Sequence, residues 1–378
     1  MGHQIEILRF TGKRSETDAV LDGLPPISQA GLKQFSLERM IGYGLDYSDA
    51  IEFRARIIKG ADWKEAALEL AQELLESLMP FGSAETRAYR LQRAAAVLRM
   101  GQMMLLTDTA ERAAIYNKAA TLYHQAIAFG LNRKRVSIDG PIGQLAGWLI
   151  PSTATVAMGS AIVFGGIEGW AMDFDSMGEA LAARGIDTLM LDCPGQGETR
   201  FAYGHYLSAD WQRSMSAVID FLEARSTNRP IGIVGNSMGG SLAMSFAGAD
   251  KRIVACCNNG GVIKPSMGLL VGGAFSAKMV AFCGSSDEYL ATVTWDSVTP
   301  LQAQENPNYP LLIVQGGKDP LVPTEQAQML LQMVPTQNKH MVLFSDGDHC
   351  IYNHRRDRDN LIADWMLDRL SLASSPQI

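Results

Sequence analysis

Ser237 lies in the pentapeptide Gly235-Asn236-Ser237-Met238-Gly239. The apolar run Ile231-Gly232-Ile233-Val234 comes just before it, and a helix-like stretch, 240–247, follows. Strand, G-x-S-x-G, helix is the sequence form of a nucleophile elbow, a tight turn that pushes a serine hydroxyl out of a sheet. Glycines flank the serine because a side chain there would collide with the neighbouring strand or helix. The chemistry would be attack on a carbonyl. In a chain with 36 glycines the pentapeptide alone is weak, since a plain strand-to-helix turn reads the same way. A serine hydroxyl is also a poor nucleophile until a base takes its proton and a third group orients that base.

Both partners can be read downstream, in the order acid then histidine that an elbow of this kind requires. Pro310-Leu311-Leu312-Ile313-Val314 reads as a buried strand, followed by a Gly/Pro-punctuated turn that carries Asp319. The plain alternative is a turn aspartate bonding its own backbone. Met341-Val342-Leu343-Phe344 reads as another strand, and His349 stands in the loop after it. Of the six histidines, only His340, His349 and His354 follow Asp319. His340 precedes the strand, and His354 sits among Arg355, Arg356, Asp357 and Arg358, as at a solvated helix start. His124 and His205 precede the serine and have no place in this order.

Ala161-Ile162-Val163-Phe164 is a further strand, and Gly165-Gly166-Ile167-Glu168 follows it. A loop of this kind supplies one backbone donor of an oxyanion hole, and the residue after the nucleophile supplies the other. The assignment is Ile167 and Met238, with Gly166 competing for the first position. The turn Asp192-Cys193-Pro194-Gly195-Gln196-Gly197-Glu198 reads as structural, so Asp192 and Glu198 are not assigned to catalysis.

These residues need a scaffold, and the chain is long enough for two domains, 1–133 and 134–378. Up to residue 133 the pattern is helical. Trp63, Ala67, Leu70, Leu74 and Leu78 recur at helix spacing up to Met79-Pro80. Ser83 is placed to cap a second helix toward Met104, and Asp108 a third that Gly130 closes. Met79, Met100, Met103 and Met104 read as core. Beyond residue 133, a leading hairpin around Gly140-Pro141 gives way to alternating strands and helices. That implies an α/β fold with a mainly parallel sheet and helices on both faces. The interval from Val262 to Pro300 is too long for a simple crossover and reads as helical structure near a pocket mouth.

Composition bounds the partners. A net charge of −7 speaks against a phosphate-backbone partner, so no nucleic acid is expected. No apolar run reaches the length of a membrane helix, and the first residues lack a signal-peptide core. Cys193, Cys256, Cys257, Cys283 and Cys350 form no C-x-x-C spacing, which suggests reduced thiols in a cytoplasmic protein and no metal site. No phosphate or dinucleotide loop is present, and no cofactor is expected. Cys350 adjoins His349 and reads as a buried spectator.

The helical region before this α/β pattern, with Gly44-Leu45-Asp46-Tyr47-Ser48-Asp49-Ala50, Ala61-Asp62-Trp63 and Phe164-Gly165-Gly166-Ile167-Glu168, resembles a group within the α/β-hydrolases. That group comprises 2,6-dihydroxypseudooxynicotine hydrolase and the polyketide-shortening hydrolases of pigment and anthraquinone pathways. The resemblance spans nearly the whole chain. It implies an α/β-hydrolase fold behind a cap-like helical domain, a small-molecule substrate held between the two, and often a homodimer. It places Ser237, Asp319 and His349 at the triad positions and Ile167 and Met238 at the oxyanion positions. It implies cleavage of a C–C bond next to a carbonyl in a polyketide-like or aromatic substrate. Esterase or thioesterase activity, and acyl transfer or cyclisation, use the same residues and stay open. One departure stands out: the nicotine-pathway enzyme uses a glutamate some thirty residues after the nucleophile, and this chain has none from Ala247 to Cys283. That argues against pyridine-ketone chemistry.

Overall fold

The computed structural model describes residues 5–9, 21, 23–77, 82–225 and 229–374. The chain divides into two compact units: residues 1–10 with 133–378, and residues 11–132.

The second unit is helical: α1 (Pro26–Gln34), α2 (Leu37–Gly42), α3 (Tyr47–Ile58), α4 (Trp63–Glu76), α5 (Ala84–Gly101) and α6 (Ala110–Ile127). Ser36, Asp46, Asp62, Ser83 and Thr109 each accept a backbone N–H of the first turn they precede. Such caps contribute about 1 kcal/mol each. The third cap falls one residue from the expected Asp108. The Thr109 hydroxyl accepts the Arg112 N–H at 3.1 Å, and Asp108 instead lies 3.6 Å from the Arg112 guanidinium. Leu78, Met79 and Pro80, the expected end of α4, lie outside the described residues. Met100 and Met103 are core, as expected, and Met104 is half-buried. The Trp63 indole meets Phe53 edge-on, with ring centroids 5.0 Å apart, and donates its N–H to the Met100 carbonyl at 2.9 Å. Buried Asp49 accepts two hydrogen bonds from Arg93, at 2.5 and 2.7 Å, so part of the Gly44–Ala50 signature joins α3 to α5.

Among its described residues the first unit carries nine strands: β1 (Ile5–Leu8), β2 (Lys134–Asp139), β3 (Gln144–Ile150), β4 (Gly159–Phe164), β5 (Ile186–Asp192), β6 (Ile231–Asn236), β7 (Ile253–Asn259), β8 (Leu311–Gly316) and β9 (Lys339–Phe344). Their order in the sheet is β1-β9-β8-β7-β6-β4-β5-β3-β2. All neighbours are parallel except β2 with β3 and β3 with β5. Every residue of β4, β6 and β8 is buried, as expected of strands covered on both faces. The helices of this unit are α7 (Asp175–Ala183), α8 (Gly197–Phe201), α9 (Trp211–Arg225), α10 (Met238–Ala249), α11 (Gly273–Phe282), α12 (Glu288–Asp296), α13 (Thr324–Met333) and α14 (Arg355–Ser374).

The N-terminal boundary corrects the expected 1–133 helical domain. Ile5–Leu8 pairs in parallel with Met341–Phe344 and belongs to the sheet. It is a four-residue edge strand with Ile5 and Ile7 exposed, and its partner lies over 300 residues away, so no local pattern betrays it. In the long interval, a 3₁₀ segment at Pro265–Val271 precedes α11 and α12.

The sheet order also marks where chemistry belongs. The chain leaves β4 on one side to form β5 and returns to the other side to form β6. Loops at the carboxyl ends diverge at such a switch point and leave a crevice. The loops after β4, β6, β7, β8 and β9 all open at that edge.

Candidate active site

Strand β6 passes into α10 through a single residue, Ser237, with φ 56° and ψ −132°. That left-handed conformation is uncommon for any residue with a side chain. The turn is tight enough that a Cβ on Gly235 would lie 2.0 Å from the Gly239 carbonyl oxygen, and one on Gly239 would lie 2.3 Å from the Gly165 oxygen. Glycines at both places are therefore a packing requirement. The Ser237 N–H donates to the Asn259 carbonyl at 2.8 Å, which fixes the elbow to the end of β7.

The structure brings Ser237, His349 and Asp319 into one hydrogen-bonded chain. His349 Nδ1 is 2.8 Å from Asp319 Oδ2, and His349 Nε2 is 2.9 Å from Ser237 Oγ. A carboxylate opposite Nδ1 requires the ring proton there, which leaves Nε2 to accept from the serine hydroxyl. The second Asp319 oxygen accepts the N–H groups of Leu321 and Val322, at 2.8 and 3.0 Å. The acid turn and the histidine loop share backbone bonds, Gly317 N–H to Phe344 at 2.7 Å and Lys318 N–H to Gly347 at 2.8 Å. Burial alone would raise the Asp319 carboxyl. The His349 hydrogen bond and charge, with the two backbone N–H groups, overcome it and hold the group below its ordinary range. Burial alone would depress the His349 imidazole; the adjacent Cys350 and the Asp319 carboxylate, which also accepts its hydrogen bond, shift it upward.

The loop after β4 packs directly on this elbow. A Cβ on Gly166 would lie 2.8 Å from the Met238 nitrogen and 2.8 Å from the Ser237 Cβ. The wholly buried Gln196 clamps that loop. Its amide N–H donates to the carbonyls of Gly165 at 2.6 Å and Gly166 at 3.0 Å, and its oxygen accepts the Cys193 N–H at 3.0 Å. In a trans peptide the N–H points opposite to the carbonyl. Holding those two carbonyls toward Gln196 therefore turns the N–H groups of Gly166 and Ile167 away from it. Glu168, next in the loop, is buried and ion-paired with the equally buried Lys278 of α11.

The pattern of the Alpha/beta hydrolase family matches residues 163–359, more than half of the chain. The chain belongs to that family. Among its α/β-hydrolase relatives is 2,6-dihydropseudooxynicotine hydrolase of Paenarthrobacter nicotinovorans, 27% identical over 356 residues that cover 88% of this chain and 91% of that protein. The crystal structure of 2,6-dihydroxy-pseudo-oxynicotine hydrolase superposes with a TM-score of 0.76, at 24% identity over 89% of this chain and 96% of that one. A structure titled AbyA5 superposes at 0.66, with 15% identity over 83% of this chain and 92% of that one. At those identities the two structures speak for the shared fold.

In this α/β-hydrolase, His205 and His354 make their hydrogen bonds outside the Asp319–His349–Ser237 set. His205 lies between the Gln144 carbonyl and Ser214 Oγ, at 3.0 and 3.2 Å, and His354 reaches Asp346 at 2.9 Å. Asp192 accepts the N–H groups of Ala171 and Glu198, at 2.8 and 2.9 Å, and Glu198 pairs with Arg135 at 2.9 Å. The Cys350 thiol is buried and faces the Asn259 carbonyl at 3.5 Å. Among the described residues no group of three or more His, Cys, Asp and Glu is placed to hold a metal ion. Nor among them is any helix long and apolar enough to cross a membrane. Sequence reasoning missed Gln196, Asn259, Lys278 and Arg358. Gln196 had a signal, a polar residue between two glycines in a turn. The paired asparagines that end β7 were another.

Proposed function

We propose that this chain is a serine hydrolase that cleaves the C–C bond between two carbonyls of a β-dicarbonyl, polyketide-like substrate through an acyl-enzyme. The observation that carries the nucleophilic part is the continuous hydrogen-bond path Asp319–His349–Ser237, at 2.8 and 2.9 Å. The C–C part is supported by the sequence resemblance, and by a relative that pairs with the chain along nearly its full length.

His349, oriented by Asp319, takes the Ser237 proton as Oγ forms a bond to the substrate carbonyl carbon. The electron pair of the C=O bond moves to oxygen, where the N–H groups of Met238 and Ile167 receive it. Removing one such donor typically costs about 10²–10³ in rate. The carbonyl then re-forms and the bond to the neighbouring carbon breaks. Its electron pair becomes an enolate on the second carbonyl. Only a carbon whose charge is spread in this way can leave, so His349 need deliver its proton only as the enolate carbon accepts it. Water attacks the remaining serine ester, gives its proton to His349 and releases a carboxylic acid. The net products are one ketone and one carboxylic acid, with one water consumed.

The test compares a 1,3-diketone with an aryl ester of the same acyl group, in ¹⁸O-labelled water. The proposal expects a ketone and a singly labelled carboxylate from the diketone, and no such products with Ser237→Ala. Turnover of the ester with an untouched diketone would overturn the C–C assignment and leave an esterase.

A further inference from the structure

The loop that carries His349 is bent in an unfavourable way. The two residues after it, Cys350 and Ile351, are both left-handed, with φ 57° and 56°. With Ser237 they are the only non-glycine residues of positive φ among the described residues. Each such position is strained and persists only where its surroundings fix it, most of all for a β-branched residue. Two buried side chains do the fixing, and both converge on one atom. Arg358 of α14 donates Nη1–H to the Cys350 carbonyl at 2.7 Å, and Asn259 of β7 donates Nδ2–H to the same oxygen at 3.3 Å.

Neither side chain is isolated. Arg358 is 2% exposed, and its Nε and Nη2 reach Asp359 Oδ1 at 2.8 and 2.6 Å. Asp359 in turn accepts the Ser176 hydroxyl at 2.5 Å from α7. Asn259, wholly buried, also donates to Asn236 Oδ1 at 2.8 Å, and Asn236 donates to the Phe164 carbonyl at 3.1 Å. Asn236 precedes the nucleophile, Phe164 precedes the Gly165–Glu168 loop, and the Asn259 carbonyl receives the Ser237 N–H at 2.8 Å. One buried amide therefore touches the elbow from both its side chain and its backbone, and the histidine loop as well.

We propose that Asn259 and Arg358 are positioning residues that hold the Cys350 carbonyl and so set His349 in register with Ser237. Neither reaches the reacting atoms. Asn259 ties the histidine loop to the elbow, and Arg358 ties it to α14 and α7. This inference rests on the triad reading above. The hydrogen bonds come from different elements, 91 and 8 residues away, so either can be removed without the other.

The test uses the full chain and a fluorophosphonate probe, whose reaction with Ser237 needs the base but no particular substrate. Asn259→Ser is too short to reach Cys350. Arg358→Lys keeps the charge opposite Asp359 and loses the second arm of the guanidinium. Each is expected to lower the labelling rate and kcat about 10- to 100-fold, the cost of a displacement near 1 Å, with KM within about twofold. The downfield proton resonance of His349 Nδ1–H should weaken in each. The double variant should lose less than the product of the two, because both act through one carbonyl. A lowered melting temperature with wild-type labelling rate and resonance in both variants would overturn the proposal and leave a structural role. If one variant does not fold, the other decides, and if neither folds the resonance and labelling rate of Ser176→Ala, at the far end of the Arg358 side, decide in the same way. A wild-type chain that does not label at Ser237 would instead refute the triad reading.

Discussion

Two buried carboxylates stand at strand ends of one sheet, with three strands between them, and behave in opposite ways. Asp192 closes β5, and Asp319 follows β8. Each is buried, and each accepts two backbone N–H groups. Burial pushes both upward. Around Asp192 the nearby charges are Glu198 and Asp173, and its carboxyl is raised to about 7. Opposite Asp319 stands the His349 imidazole, and its carboxyl is lowered. Position at a strand end does not make a carboxylate part of a triad; the partner it faces does. The β5 turn still serves the site, through the neutral Gln196 amide that clamps Gly165 and Gly166.

Replacing each aspartate by its amide should break the pair apart most strongly. Asp319→Asn is expected to lower kcat by about 10⁴-fold, because the imidazole loses the acceptor that holds its tautomer. Asp192→Asn should keep kcat per folded molecule within a few-fold of wild type, as steady-state assays on both variants would show. Glu168 extends the comparison to a buried carboxylate with a cationic partner. Lys278→Met removes the cation opposite that buried charge, so denaturant unfolding should show a loss of about 3–5 kcal/mol, largely restored by adding Glu168→Gln. Gln196→Leu removes the clamp without touching a charge. Its kcat should fall by up to about 10²-fold, the scale of one lost oxyanion donor, with KM nearly constant.

The smallest effects are those of pH. A carboxyl raised in the folded state binds its proton there more readily than in the unfolded chain. Asp192 therefore favours folding at low pH, and its contribution is lost as pH rises from about 4 to about 7. Urea midpoints measured across that window should fall less steeply for Asp192→Asn. Asp319 has the opposite sign: its contribution is present above pH 4 and lost as pH falls below that. For activity, the base must be neutral, so kcat/KM should rise with pH through a midpoint above the ordinary 6.5 of histidine.

The hydrogen-bonded set Asp319, His349 and Ser237 was legible because each residue follows an apolar run, and because chain order left His349 as the histidine in a post-strand loop. The two aspartates look alike in sequence, Asp192 before Cys193-Pro194-Gly195 and Asp319 before Pro320. Asp192 was set aside because its turn reads as structural, and Asp319 was assigned from its place between Ser237 and His349. Most residues that were not legible act across long chain separations: Gln196 reaches Gly165, Asn259 reaches Cys350, and Lys278 meets Glu168 only in the folded chain. Edge strand β1 was hidden for the same reason, since a parallel partner leaves no hairpin signal. Arg358 lies only 8 residues from Cys350, but its contact depends on the left-handed turn between them. The Asp108 cap missed by one residue because Asp and Thr are both good caps and stand side by side; the Thr109 hydroxyl takes the Arg112 N–H, and Asp108 lies against the Arg112 guanidinium.

The most direct test is where a fluorophosphonate bonds. Intact mass and peptide mapping of the labelled wild-type chain should find a single adduct on Ser237, absent from Ser237→Ala and slow to form in His349→Ala. An adduct on another residue, or a wild-type chain that stays unlabelled while still turning over substrate, would contradict the account.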